Sequence, residues 1–176
     1  MDFEAPVDAW YIWVGVAVVS LVLVGVVLSL PTQPPPDADR AASTVDRVGG
    51  SASQAAASYE HDADEVRVTA GKISMRNDGG TDHAPVAFGT PTPVAAVPAA
   101  VDDAEAVHDA LVAILHDGHP ADVRAETGVE TQEVVDAVAA TNEYVASGEM
   151  AWRPATGTLT VRQVSLGNET LVLIDG

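Results

Sequence analysis

Between Trp10 and Leu30 the chain reads WYIWVGVAVVSLVLVGVVLSL, with no charged residue and no strongly polar one beyond Ser20 and Ser29. At about 1.5 Å rise per residue, a helix over this stretch reaches ~31 Å, the thickness of a bilayer's hydrocarbon core. The core helix of a soluble protein keeps a polar stripe, and this stretch is apolar all round. It predicts a single membrane-spanning helix over residues 10–30, and it leaves every other element of the fold to the residues beyond it. Trp10, Tyr11 and Trp13 cluster at one end, where amphipathic rings favour the headgroup layer. Pro31 and then Pro34, Pro35 and Pro36 cannot continue a helix at the other end. The preceding tail, residues 1–9, is acidic and has no Lys or Arg, unlike the basic start of a signal peptide. The helix is therefore expected to stay as an anchor, with the lipid bilayer as its first partner.

The remaining residues are strongly acidic. The chain has 26 Asp and Glu against 8 Lys and Arg, a formal net charge of -18, and Lys72 is its one lysine. Charge of one sign spread over the whole chain chiefly solvates a surface, and it excludes nucleic acid, which requires clustered cations. The chain has no cysteine, which removes disulfides, thiolate catalysis and Cys-ligated metal sites together.

Residues 31–38 read as a Pro-rich spacer in extended conformation. From 39 to 63, Ala41, Val45, Val48, Ala52, Ala55, Ala56 and Tyr59 recur at three- and four-residue spacing. They predict a small-residue amphipathic helix, interrupted at Gly49-Gly50. Residues 64–176 read as an α+β domain with a mainly antiparallel sheet and two to three helices. EVRV, KISMRN and APVAFG alternate as three strands, with turns at Thr69-Ala70-Gly71 and Asp78-Gly79-Gly80-Thr81. Pro91, Pro93 and Pro98 demote the next stretch to an edge strand or extended linker. Helical spacing returns over 102–117, with Ala106, Val107, Ala110, Leu111, Ile114 and Leu115 facing inward, and over 131–144, with Val134, Val135, Val138 and Val145 inward. GTLTVRQV and TLVLIDG, joined at Leu166-Gly167-Asn168-Glu169, predict a closing β-hairpin.

Motifs for chemistry are thin. His61, Asp62, Asp64 and Glu65 supply metal-type donors, but their spacing matches no ligand motif and suits a solvated junction. The run from Asn77 to Asp82 lacks the closing Glu of a calcium loop and reads as a turn. His116 and His119 suit the negative end of a helix dipole. The chain has no nucleophile elbow, phosphate-binding loop or dinucleotide fingerprint, so neither an enzyme nor a cofactor-dependent protein is expected. Asn168-Glu169-Thr170 is a glycosylation sequon at the expected hairpin tip, a pointer to an extracytoplasmic domain. Against it, Arg40 and Arg47 follow the span while no basic residue precedes it, a weak positive-inside signal for the cytoplasm. Gly25 and Ser29 form a small-xxx-small pair through which a second membrane helix could approach.

The opening MDFEAPVDAWYIWVGVAVV, the PTQPPPDADRAASTVDRV after it, and YEHDADEVRV with ISMRNDGGTDHAPVAFG resemble a haloarchaeal family of uncharacterised single-span membrane proteins. The resemblance covers roughly the first half of the chain. It implies association with type IV pilus or type II/IV secretion-like machinery, and the acidic, lysine-poor composition fits a haloarchaeal source. The layout is also similar to pilins, without a prepilin cleavage site and with the long helix broken at Pro31. Two functions are expected from this. One is an anchored accessory subunit of a pilus- or secretion-type assembly, contacting its partners through Ala41, Val45, Val48, Ala52 and Ala56. The other is a tethered ligand-binding or sensor module with a pocket in the α+β domain.

Overall fold

The computed structural model describes residues 9–30, 32–116, 127–148, 150–166 and 169–176. They divide into two compact units, one ending at Gln33 and the other running from Pro34 to Gly176.

The first unit is helix α1 (Ala9–Leu28). It is long and apolar enough to cross a membrane, and none of its apolar window from Trp10 to Leu28 is covered by protein. Its side chains have no amphipathic bias because no face of it meets a core. The Ser29 hydroxyl folds back to donate to the Val26 carbonyl at 2.8 Å, so the last turn satisfies its own polar group.

The second unit is α+β with antiparallel-rich sheets, as the alternating and helical spacings predict. Helix α2 (Ala38–Gly49) leads into β1 (Ala56–Glu60), β2 (Glu65–Thr69), β3 (Lys72–Asn77) and β4 (Gly80–Pro85). Then come β5 (Pro91–Pro93), helices α3 (Ala104–His116) and α4 (Thr131–Ala146), and strands β6 (Arg153–Pro154), β7 (Thr158–Leu166) and β8 (Glu169–Asp175). Two four-stranded sheets result, a central one in the order β1-β7-β8-β5 and an outer one in the order β4-β3-β2-β6. Pro91–Pro93 sits at the central sheet's edge, paired parallel to β8, where a missing N–H is tolerated.

The layers follow from which side chains each strand buries. Val66, Val68, Ile73 and Met75 of the outer sheet meet Leu159, Val161, Val172 and Ile174 of the central sheet, and α2 contributes Ala41, Val45 and Val48 to the same core. The opposite face of the central sheet, with Val164, Leu166, Leu171 and Leu173, packs against α3 and α4 through Leu111, Ile114, Val134 and Val138. Strand β8 is thus covered on both faces, which is why its sequence is a continuous apolar run rather than an alternation. Helix α4 starts with a capping box between Glu130 and Glu133.

Two expectations are corrected. The helix expected over 39–63 ends at Gly49, where Gly50 donates back to the Asp46 carbonyl at 2.8 Å. Residues 56–60 leave it to pair antiparallel with β7, so Ala52 lies outside the helix and Ala56 opens a strand. Ala and Val spacing at three and four residues could not tell that strand from a helix; its alternation of half-buried Ala57 and Tyr59 with exposed Ser58 and Glu60 is set by its pairing with β7. The third strand, expected as APVAFG, begins four residues earlier at Gly80, because Asn77 pairs directly with Gly80 across a two-residue turn. Gly80 takes a φ of 142°, and Asn77 Oδ1 accepts from the Gly79 N–H at 2.8 Å to close that turn.

Candidate functional site

The face of the outer sheet turned away from the core holds Arg67, Lys72 and Arg76, three of the chain's eight Lys and Arg. Alternation along β2 sends Val66 and Val68 inward and leaves Glu65, Arg67 and Thr69 on the other side. Across the β2–β3 pair, Glu65 faces Arg76, Arg67 faces Ser74 and Thr69 faces Lys72. On the opposite flank, β6 pairs Pro154 with Glu65, so Trp152 falls beside Arg67. The guanidinium carbons of Arg67 and Arg76 lie 4.6 and 4.5 Å from the Trp152 ring centroid. Each such contact is worth about 0.5–1 kcal/mol when exposed.

Arg76 also bonds the Glu65 carboxylate through Nε. That hydrogen bond holds the Glu65 carboxyl below the usual carboxylate range and raises the Arg76 guanidinium further. Behind the stack Ser74 is buried, and its hydroxyl finds no hydrogen-bond partner among the described residues; Arg67 Nε is likewise buried without one. Lys72 and Arg67 carry charge that no carboxylate among the described residues neutralises by an ion pair. Stacked guanidiniums keep their in-plane N–H groups for a carboxylate or other oxyanion. Sequence reasoning missed this group: Arg67 and Arg76 are visible as the polar positions of alternating strands, but Trp152 comes from a segment far along the chain with no local signal.

The residues expected to contact partners are distributed differently. Ala41 and Val45 are fully buried and Val48 is 2% exposed, so they form the domain's own core and not a docking stripe. Ala52 and Ala56 are exposed but share no helical face with them. Gly25 has nothing within 4 Å of where a Cβ would sit, so this side of α1 is open to a close approach, and Ser29 lies one turn on with its hydroxyl self-bonded. Asn168 lies outside the described residues, as do Gly118, His119 and Pro120.

The acidic stretch around His61 is structural. Glu65 is held by Arg76, and the backbone of Asp64 bonds both Arg76 and Ala155. His61 Nδ1 accepts from the Ala63 N–H at 3.3 Å, which puts the ring proton on Nε2, itself buried and without a partner. Burial lowers the His61 pKa, opposed by the nearby Asp62 charge. Among the described residues no group of three His, Asp or Glu is placed to hold a metal ion. Other carboxylates fasten backbone: Asp37 and Asp82 accept the N–H groups of Arg40 and Ala38 at the start of α2, where negative charge also suits the helix dipole.

Among the described residues, two cavities bear on ligand binding. One, between the sheets and lined by Val66, Val68, Met150, Arg153 and Leu159, has room of about 30 Å³, that of a single water. The other is an open cleft of about 320 Å³ in the helical layer, lined by Ala100, Val101, Asp102, Glu133, Asp136 and Ala137.

No curated protein and no solved structure matches the chain. A family model does, over residues 4–164, and it spans α1, the outer sheet, α3 and α4, and ends within β7. The chain belongs to that family, DUF7283, a family of unknown function.

Proposed function

We propose that the protein is a membrane-anchored accessory subunit of a cell-envelope assembly of the pilus or secretion type, working by contact and not by catalysis. One observation carries the anchoring: α1 exposes its whole apolar surface while the second unit buries its own cores without it. Exposed apolar surface on this scale is stable only in lipid or against other helices, and Gly25 leaves room for one. The contact reading is supported by the Arg67–Trp152–Arg76 stack, since Trp and Arg are the residues that most often dominate protein–protein contacts. On this reading the domain is extracytoplasmic, as the sequon at Asn168 suggests, and its haloarchaeal setting follows from the resemblance of the first half of the chain.

The second reading, a tethered sensor, draws on the open cleft, whose volume is at the low end of ligand sites. Its acidic, shallow lining suits a protruding cationic group better than an enclosed small molecule.

The test has three parts. The chain should pellet with membranes and resist extraction by alkaline carbonate, whereas release by carbonate would refute the anchor. Mild crosslinking of intact membranes followed by mass spectrometry should recover envelope-assembly components. External protease on whole cells should remove the domain; cleavage only after lysis would put it in the cytoplasm.

A further inference from the structure

The layer order separates two faces of opposite charge. The outer face of the outer sheet carries half-buried Arg67 and Arg76 stacked on Trp152, with Lys72 further along the same face and Glu65 bonded to Arg76. The helical layer lies beyond the central sheet and both cores, and its open cleft is lined by Asp102, Glu133 and Asp136, with no cation in the lining among the described residues. The cleft carboxylates are exposed, and among the described residues Arg67 and Lys72 on the other face have no carboxylate paired with them, while Arg76 is held by Glu65.

We infer that the domain self-associates head to tail, the Arg67–Trp152–Arg76 face of one copy seating on the Asp102–Asp136 cleft of the next. The occupant is a second copy because the complementary surface is present on the same chain: an open cleft admits long basic side chains, and its carboxylates suit Arg67 and Lys72, the two cations of the face that no carboxylate among the described residues pairs. A guanidinium already held against an indole loses little further freedom when its N–H edge meets a carboxylate. Because the two patches differ and lie in different layers, the contact is heterologous and adds copies head to tail, in an open row or a closed ring, and not as a two-fold dimer. This deepens the contact reading above without depending on which assembly the protein joins.

The absence of cysteine makes the test direct. In the full-length chain, Thr81→Cys marks the cationic face, since Thr81 pairs with Arg76, and Ala100→Cys marks the cleft. The two variants, differently tagged, are co-expressed in one membrane and treated with a short bis-maleimide. The Thr81→Cys copy should crosslink to the Ala100→Cys copy and neither to itself, and a chain carrying both substitutions should give a ladder beyond dimer. Arg67→Glu with Lys72→Glu should abolish the heterotypic product, and a partner copy carrying Asp102→Arg with Asp136→Arg should restore it, which an unfolded variant could not do. A dominant Thr81–Thr81 product, a heterotypic product indifferent to charge reversal, or no product at all would overturn the inference. If the ladder forms while no envelope component is recovered from membranes, the inference stands and the assembly reading falls.

Discussion

The carbonyl oxygen of Phe88 lies 2.5 Å from where a Cβ on Gly49 would be. The last turn of α2 and the loop after β4 are pressed together backbone to backbone, and Asp46 fastens the contact by accepting the N–H groups of Ala87 and Phe88 at 2.7 and 2.9 Å. No side chain fits between them. Gly49→Ala should therefore destabilise the domain by about 1–3 kcal/mol, the usual cost of overpacking, despite alanine's higher helix propensity. Gly71→Ala, in the open β2–β3 turn where nothing lies within 4 Å, should change stability by less than about 0.5 kcal/mol. Chemical denaturation of the two variants checks the contrast; equal effects would mean the loop yields.

A charge at Val45 should unfold the domain, not merely weaken a partner contact. Val45 is fully buried in the core that also holds Val66, Met75, Leu159 and Val172. Val45→Ala removes two buried carbons and should cost about 2 kcal/mol with its cavity. Val45→Asp adds an unpaired buried carboxylate and should cost several kcal/mol more, seen as loss of cooperative melting by circular dichroism. A folded Val45→Asp domain would return the α2 stripe to the surface, where the spacing alone had suggested it.

That stripe shows where sequence reasoning stopped. Val45 and Val48 were readable as one face of a helix, but whether the face meets a partner or the chain's own sheets depends on the fold. The outer sheet and the β7–β8 hairpin were legible because alternation and Gly-rich turns are local signals. Strand β1 was hidden because Ala55, Ala56 and Tyr59 fit both periodicities, and only pairing with the distant β7 decided between them. The cationic face was half legible: Arg67 and Arg76 follow from alternation, while Trp152 joins them through a two-residue strand too short to announce itself.

His61 should make stability fall on acidification. Burial depresses its pKa below the ordinary value of 6.5 in the folded state, so the unfolded chain binds the proton more readily. Its contribution is fully present above about pH 6.5 and is lost as pH falls through the lowered folded value. His61→Asn keeps an acceptor for the Ala63 N–H and cannot titrate there. Melting temperature should drop less for His61→Asn than for the unaltered chain between pH 7 and pH 5, a window above most carboxylate titration. Parallel curves for the two chains would show that His61 does not carry the dependence.

Salt should stabilise the domain. With 26 acidic residues against 8 basic, most surface charges have like-charged neighbours, and compaction brings them closer than they are in the unfolded chain. The Arg67–Trp152–Arg76 stack gathers two of the eight cations into one place, leaving the rest of the surface more uniformly negative. At about 10 mM salt the Debye length is ~30 Å and the whole domain feels the repulsion; at about 1 M it is ~3 Å and only contact pairs remain. A fragment beginning at Pro34, melted across that range, should gain stability steadily as salt rises, most steeply below physiological strength. Lowering the repulsion chemically should do the same: replacing exposed Asp39, Asp62 and Asp109 by Asn should flatten the salt dependence and raise the melting temperature in dilute buffer. A melting temperature that is the same in dilute and molar salt would mean that the acidic surface serves solubility alone.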